Sequence, residues 1–303
     1  MFKTLITLRA LSISLTIFSL PVVASAQSRT WVSGVGDDVN ACSRVAPCRT
    51  FAGAIAKTSL GGEINVLDGG GYGMVTIGKS LTIDGSGSFS STLAGVGSHG
   101  ILININAAND STKTVRLRGI SINGVGAATD GIRITAAGQV FVEDVIIDGF
   151  ARHGINVAAP GAYVSVKGTT IRNAAKSGIN LEPTGNAATA MLAMESSSVS
   201  TCEVGLFAAR GTSVTVRDSS FLHNQTGVAA EGSDVAMVNC LVAHGDRGLI
   251  ARANSAIRIS RTSVTRNQTG LGNASSGKII SFKNNVVHGN GTDGAPTHTF
   301  PEI

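Results

Sequence analysis

Three features of this 303-residue chain predict an all-β fold, a single right-handed parallel β-helix: a three-faced solenoid of about nine coils with a short N-terminal capping helix. Stretches of alternating apolar residues recur every 21 to 28 residues; each repeat holds three, the third preceded by a glycine; and the turns between are too short for a crossover helix. Alternation over three to five residues marks a strand with one buried face, because successive side chains point to opposite sides. Three such strands, joined by glycine-, asparagine- and serine-rich turns, close only by winding around a triangular core. A leucine-rich repeat would show spaced leucines, and a sandwich would show hairpin dipeptides between strands; neither pattern recurs.

The first element in chain order is an export leader. Lys3 and Arg9 supply its positive start, Ala10 to Leu20 its apolar run, and Ala24-Ser25-Ala26 a small-residue cleavage site, so residues 1–26 read as a signal peptide and Gln27 as the mature start. The apolar run is too short for an anchor and no second hydrophobic span follows. No transmembrane segment is expected once the leader is removed, and the destination is secreted or periplasmic. Losing the leader removes two of 24 cations and none of the 19 acids, taking the formal charge from +5 to +3. A chain this mildly basic, with no run of Lys and Arg and only 4% aromatic residues, is not expected to bind nucleic acid.

Residues 27–62 hold an N-terminal strand, a cysteine loop and the capping helix. Cys42 and Cys48 lie six apart in a polar loop containing Pro47 and are expected to form a disulfide after export; a metal pair is the rival, but no Cys or His cluster completes it. Phe51 and Ile55, four apart in an alanine-rich stretch, predict an amphipathic helix over the open end of the core. Alternation at Ile64/Val66, Val75/Ile77, Leu81/Ile83 and Ile101/Ile103/Ile105 then implies one or two irregular coils.

Regular coils start at Val115/Leu117, Val140/Val142, Val164/Val166, Leu192/Met194, Val214/Val216, Val235/Met237, Ile257/Ile259 and Ile280/Phe282. A second pair follows at fixed distance, from Ile120/Ile122 to Asn285/Val287, and a third follows the glycine, from Ile132/Ile134 to Leu249/Ala251. The solenoid is thus expected over 63–290, with a polar tail over 291–303 that ends the stack without a helix. Cys202 and Cys240 occupy different places in the repeat and are expected to stay unpaired. Segments after Leu181 and from Gly85 to Ser98 read as loops able to wall a cleft.

These coils resemble the right-handed parallel β-helix repeat proteins of the pectin-lyase-like superfamily. The stretch Thr30-Trp31-Val32-Ser33-Gly34-Val35-Gly36-Asp37-Asp38, with Cys42, Pro47-Cys48 and Phe51-Ala52-Gly53-Ala54-Ile55, is similar to an exported bacterial subgroup described by fold alone. The resemblance implies that a bound polysaccharide would run along the outside of the sheet that follows the glycine. The outward column there reads Arg133, Asn156, Asn180, Phe207, Ala229, Ile250 and Gly272, and the preceding turns bring Asp130, Arg152, His153 and Lys176. Its N-terminal half suits a uronic-acid chain, since Arg pairs with carboxylates and Asn with hydroxyls. Asp130, Arg133, Arg152, His153, Asn156, Lys176 and Asn180 are therefore the candidate ligand-binding residues, against the plainer reading of solvated groups on an exposed sheet.

A second column, Arg118, Glu143, Lys167, Glu195 and Arg217, alternates in sign and reads as a ladder of ion pairs across coils rather than as catalytic carboxylates. The paired-aspartate signatures of polygalacturonases, the Asp-Pro-His motif of alginate epimerases and calcium-binding glycine-rich nonapeptides do not occur. No catalytic residue, metal or cofactor is assigned.

The leading functional reading is a noncatalytic exported protein that binds or organises an acidic polysaccharide. A lyase, hydrolase or epimerase acting in the same groove is the second. The third is an adhesin-like or envelope role in which exposed Phe141, Phe207 and Ile250 serve a protein interface. Nothing in the chain specifies an oligomeric state.

Overall fold

The computed structural model describes residues 26–185 and 188–301. The expected leader lies outside the described residues except for Ala26, as does the end of the tail, 302–303. Each regular coil sends one strand to each of three sheets; in one coil these are Gln139–Glu143, Ile146–Phe150 and His153–Val157. Stacked coils build a first face of 12 strands, a second of 10 and a third of nine. Nine coils are therefore complete among the described residues, as the periodicity predicts, and a tenth is partial. Neighbouring coils pair in parallel and in register, with Val140 lying between Val115 and Val164.

The alternating residues fill the core. Val140, Val142, Ile147, Ile155 and Val157 of that one coil are fully buried, and each such side chain stabilises the fold by about 1.5–3 kcal/mol relative to exposure. The two early coils follow the same rule: Ile64, Val75, Ile77, Leu81, Ile83, Ile101 and Ile103 are all buried. The segment Gly85 to Ser98, expected as a loop, instead contains the second-face strand Ser90–Leu93. Its serines and threonine hide the apolar alternation by which a strand is recognised.

The corner between the first and second faces turns on one left-handed residue per coil, including Asp144, Ser196, Asp218, Asn239 and Arg261 at φ 48–54°. Such a turn takes backbone N–H groups out of the ladder, and buried donors need partners. Inward-facing hydroxyls supply them. The Thr169 N–H donates to Ser197 Oγ at 3.1 Å, Ser197 N–H to Ser219 Oγ at 3.2 Å, and Cys240 N–H to Thr262 Oγ1 at 3.4 Å. This is why polar residues stand where the repeat otherwise places an apolar one. Cys240 and Cys202 are unpaired and buried, and burial pushes the Cys202 thiol up to about 11.

The glycine before each third-face strand answers to close approach. Its missing side chain would point into the core: a Cβ on Gly131 would sit 2.5 Å from the Gly154 carbonyl oxygen and against Ile147. Because this residue turns inward and Ile132 is also inward, the residue before the glycine and the residue after Ile132 both face out.

At the N-terminus, the strand Gln27–Val32 pairs in parallel with Thr58–Val66. The helix Phe51–Lys57 starts at Thr50, whose hydroxyl accepts from Gly53 N–H at 3.0 Å. Phe51 and Ala54 are its buried residues, and the Phe51 ring lies 5.2 Å from that of Tyr72. Cys42 and Cys48 form the expected disulfide. The tail adds a short strand, His298–Thr299, beside Ile280–Ser281. Among the described residues no helix is long and apolar enough to cross a membrane.

Candidate functional site

Two outward columns run along the third face. The first consists of residues that precede the repeat glycine: His99, Asp130 and His153 lie side by side in successive coils. The second reads Leu102, Arg133, Asn156, Asn180, Phe207, Ala229, Ile250 and Gly272 in continuous register. The two columns meet at Asp130, whose side chain is fully covered although it lies on the outer surface.

Asp130 Oδ2 accepts hydrogen bonds from Arg133 Nη1 at 3.0 Å and Asn156 Nδ2 at 3.1 Å. The amides continue as a ladder, with Asn180 Nδ2 donating to Asn156 Oδ1 at 3.2 Å. Asn156 and Asn180 are each only 4% exposed. Their amides are thus spent within the protein, and it is the arginines that remain at the surface. His99 Nδ1 stands 3.5 Å from Asp130 Oδ2. Both His99 Nδ1 and Asp130 Oδ1 are buried without a hydrogen-bond partner in the protein.

His153, on the other side, is buried and committed: its Nδ1 accepts the Ser177 N–H at 3.3 Å. That bond requires a lone pair on Nδ1, so the ring is neutral with its proton on Nε2. Burial lowers its pKa below the ordinary 6.5, with Asp130 opposing and Arg152 adding to the shift. Burial lowers that of His99 as well, again against the pull of Asp130 and with Arg133 and Arg152 assisting. Both imidazoles are held neutral beside a carboxylate.

The remaining candidates lie outside this cluster. Lys176 Nζ pairs with Glu203 Oε2 at 2.7 Å on the open surface. Arg152 is exposed and makes no side-chain hydrogen bond or ion pair among the described residues. A hollow of about 270 Å³ opens beside His99, lined by Met74, Val75, Thr76, Ser98 and Leu102. Another of about 220 Å³ lies farther along the face at Phe207, Thr226 and Ala229. A larger hollow of about 650 Å³ follows the corner between the first and second faces, but its inner hydroxyls are engaged in the turn ladder. Ile250, expected to be exposed, is only 8% exposed; its Cδ1 lies over Gly272, in the space a side chain there would fill.

His99 was not among the sequence candidates. Its signal was present: His99-Gly100, Asp130-Gly131 and His153-Gly154 align as the same step of the repeat. Among the described residues no group of three or more His, Cys, Asp or Glu side chains is arranged to hold a metal ion.

The first face carries the predicted ladder in part. Glu143 is held by Arg116 and, at 2.9 Å, by Arg118, which also reaches Asp84 at 3.3 Å; Arg217 pairs with Glu195. Lys167 has the expected register between Glu143 and Glu195 but makes no ion pair among the described residues. The ladder is broken there because Arg116 and Arg118 already hold Glu143 and Arg217 holds Glu195.

A family model described as "Right handed beta helix region" matches residues 62–221 and 187–298. No curated protein matches the sequence. Among solved structures, the chain is similar to a rhamnogalacturonan lyase at 15% identity, covering 84% of this chain and 75% of that one, with a TM-score of 0.50. It is also similar to pectate lyase Pel9A, at 16% identity over 91% and 75% of the two chains with a TM-score of 0.49. The A-module of the Azotobacter vinelandii mannuronan C-5 epimerase AlgE4 matches at 10% identity over 80% and 91%, with a TM-score of 0.42. At these identities the likeness shows the fold alone.

Proposed function

The chain belongs to the right-handed β-helix family, and from that premise we propose that it is an exported protein that lays an acidic polysaccharide along its third face. The observation that carries this reading is Arg152: an exposed guanidinium without an anion among the described residues, close enough with Arg133 to act on both His99 and His153, and placed along the stack between two hollows of the third face. An uncommitted Arg can take a carboxylate through two parallel hydrogen bonds. The disulfide Cys42–Cys48 supports export, since such bonds persist in oxidising compartments.

Retention of the mature chain, Gln27 to Ile303, on immobilised polygalacturonate tests the reading. Wild-type protein is expected to be held at low salt and released as salt screens the charges. Arg152→Ala is expected to weaken retention without moving the melting temperature, its side chain being exposed. Free passage of wild-type protein at low salt refutes the proposal.

A specific observation favours a second reading, in which the face also transforms the polymer. His99 and Asp130 bring a neutral imidazole and a buried carboxylate together at the edge of a hollow, an arrangement that a surface used for adhesion alone does not require.

A further inference from the structure

We propose that His99 is the residue that moves a proton on the third face and that Asp130 positions it, a reading that rests on this face being where the acidic polymer lies. Three observations lead there. Asp130 is a fully covered carboxylate anchored through Oδ2 by Arg133 and Asn156, while its Oδ1 has no partner in the protein. His99 presents Nδ1 to that carboxylate at 3.5 Å, also without a partner, and keeps 24% of its side chain exposed at a hollow of about 270 Å³. Hydrogen bonds of this kind tighten when substrate closes the site.

The other titratable groups of the cluster are excluded by their own contacts. His153 is buried and has its Nδ1 occupied by the Ser177 N–H. Lys176 is paired with Glu203. Arg133 is committed to Asp130. His99 alone combines access from outside with a carboxylate behind it.

With Nδ1–H turned to Asp130, Nε2 of His99 carries a lone pair and accepts the proton from the sugar carbon next to the uronate carboxylate. The C–H electron pair moves into the carboxylate to give an enediolate, whose second negative charge is opposed by Arg152. The enediolate then takes a proton back at carbon, or it expels the oxygen substituent on the neighbouring carbon, forming a carbon–carbon double bond while the leaving oxygen is protonated by His99 or water. Nothing is oxidised or reduced in either course.

The groups facing His99 set its pH response. Asp130 raises its pKa, and Arg133 and Arg152 lower it together with burial; the strand Val75–Ile77 on its other side carries no titratable residue. The rising limb of a pH–rate profile therefore belongs below the ordinary 6.5. Removing the Asp130 charge moves it further toward acid.

The test incubates the mature chain with polygalacturonate and with alginate in D2O, following unsaturated uronide by ultraviolet absorbance and deuterium entering the polymer by NMR. Wild type is expected to give one signal or both, and His99→Ala to lower the rate by about 100-fold or more with retention on polygalacturonate and melting temperature unchanged. Asp130→Asn is expected to lower the rate and shift the rising limb toward acid; if it does not fold, His99→Ala still decides. Silence of the wild type in both channels, or a His99→Ala rate equal to wild type, overturns the proposal. Loss of retention, by contrast, overturns polysaccharide binding itself.

Discussion

The first and third faces use charge in opposite ways. On the first, Glu143, Arg116, Arg118 and Asp84 pair in the open, with each side chain between a fifth and about a third exposed. On the third, one carboxylate is fully covered, two imidazoles beside it are held neutral, and an arginine next to them is left without an anion. Exposed pairs stabilise little because water competes for both partners. A covered carboxylate is costly to keep, and it is tolerated only with fixed donors around it. The contrast teaches that exposed pairs belong to the scaffold, and that a covered carboxylate flanked by neutral imidazoles marks the place to look for chemistry.

The largest expected effect breaks the third face itself. Asp130→Ala strands Arg133 and removes the acceptor of Asn156, so a loss of about 3–5 kcal/mol in urea denaturation is expected. Glu143→Ala, its counterpart on the first face, is expected to cost about 0–1 kcal/mol. Equal losses for the two would erase the distinction between the faces. Next in size is Gly154→Ala, which forces a methyl group toward Ile171 and the Gly178 carbonyl and is expected to cost about 1–3 kcal/mol.

Acid should separate the faces by pH. The pKa of His153 is lowered in the fold by burial, so below the ordinary 6.5 the unfolded chain binds more protons and stability falls as pH drops. Burial alone would raise the pKa of Asp84 on the first face, but hydrogen bonds from Ser86 and the charge of Arg118 outweigh it, and its contribution is lost only as pH falls below the ordinary 3.8. The urea midpoint of wild type is therefore expected to decline first over the histidine range, and His153→Gln to reduce that decline to the share His99 contributes through its own lowered pKa, while sparing the lower part. A wild-type midpoint constant down to about pH 5 would contradict the neutral assignment of His153.

The smallest effect sharpens the first face. Arg217→Ala removes an exposed partner of Glu195, and the small loss it causes is expected to disappear in 1 M salt, where the screening length is about 3 Å.

Much of this architecture is legible in the residues. The pairs from Val115/Leu117 to Ile257/Ile259 place the regular coils, and the glycine before Ile132 or Ile155 identifies the third strand. The expected last pair, Ile280/Phe282, is one residue out: Ile279 and Ser281 are the buried residues that continue Ile257 and Ile259, and a serine at the second inward position hides the register. The early coils are harder to read. Their second-face strands, Gly70–Gly71 and Ser90–Leu93, carry glycine and serine, so no apolar alternation reveals them. Ser197, Ser219 and Thr262 look like faults in the pattern until the corner shows which N–H groups they satisfy. Of the candidate site, Asp130, Arg133, Arg152 and His153 are placed by counting from the glycine. His99 is passed over because its coil is irregular in length.

Side-chain alternation and repeat length settle the winding of the chain, its register and the outward columns, since these depend only on which way successive residues point. Whether an outward residue is open, covered or spent on a neighbour depends on the coils above and below it. Asn156 and Asn180 face outward by parity yet give their amides to Asp130 and to each other. Lys167 stands in a column of opposite charges yet pairs with none among the described residues. Only the stacking of separate coils, some two dozen residues apart in the chain, brought His99 to Asp130 and left Arg152 without an anion, because those contacts form between coils and not within one.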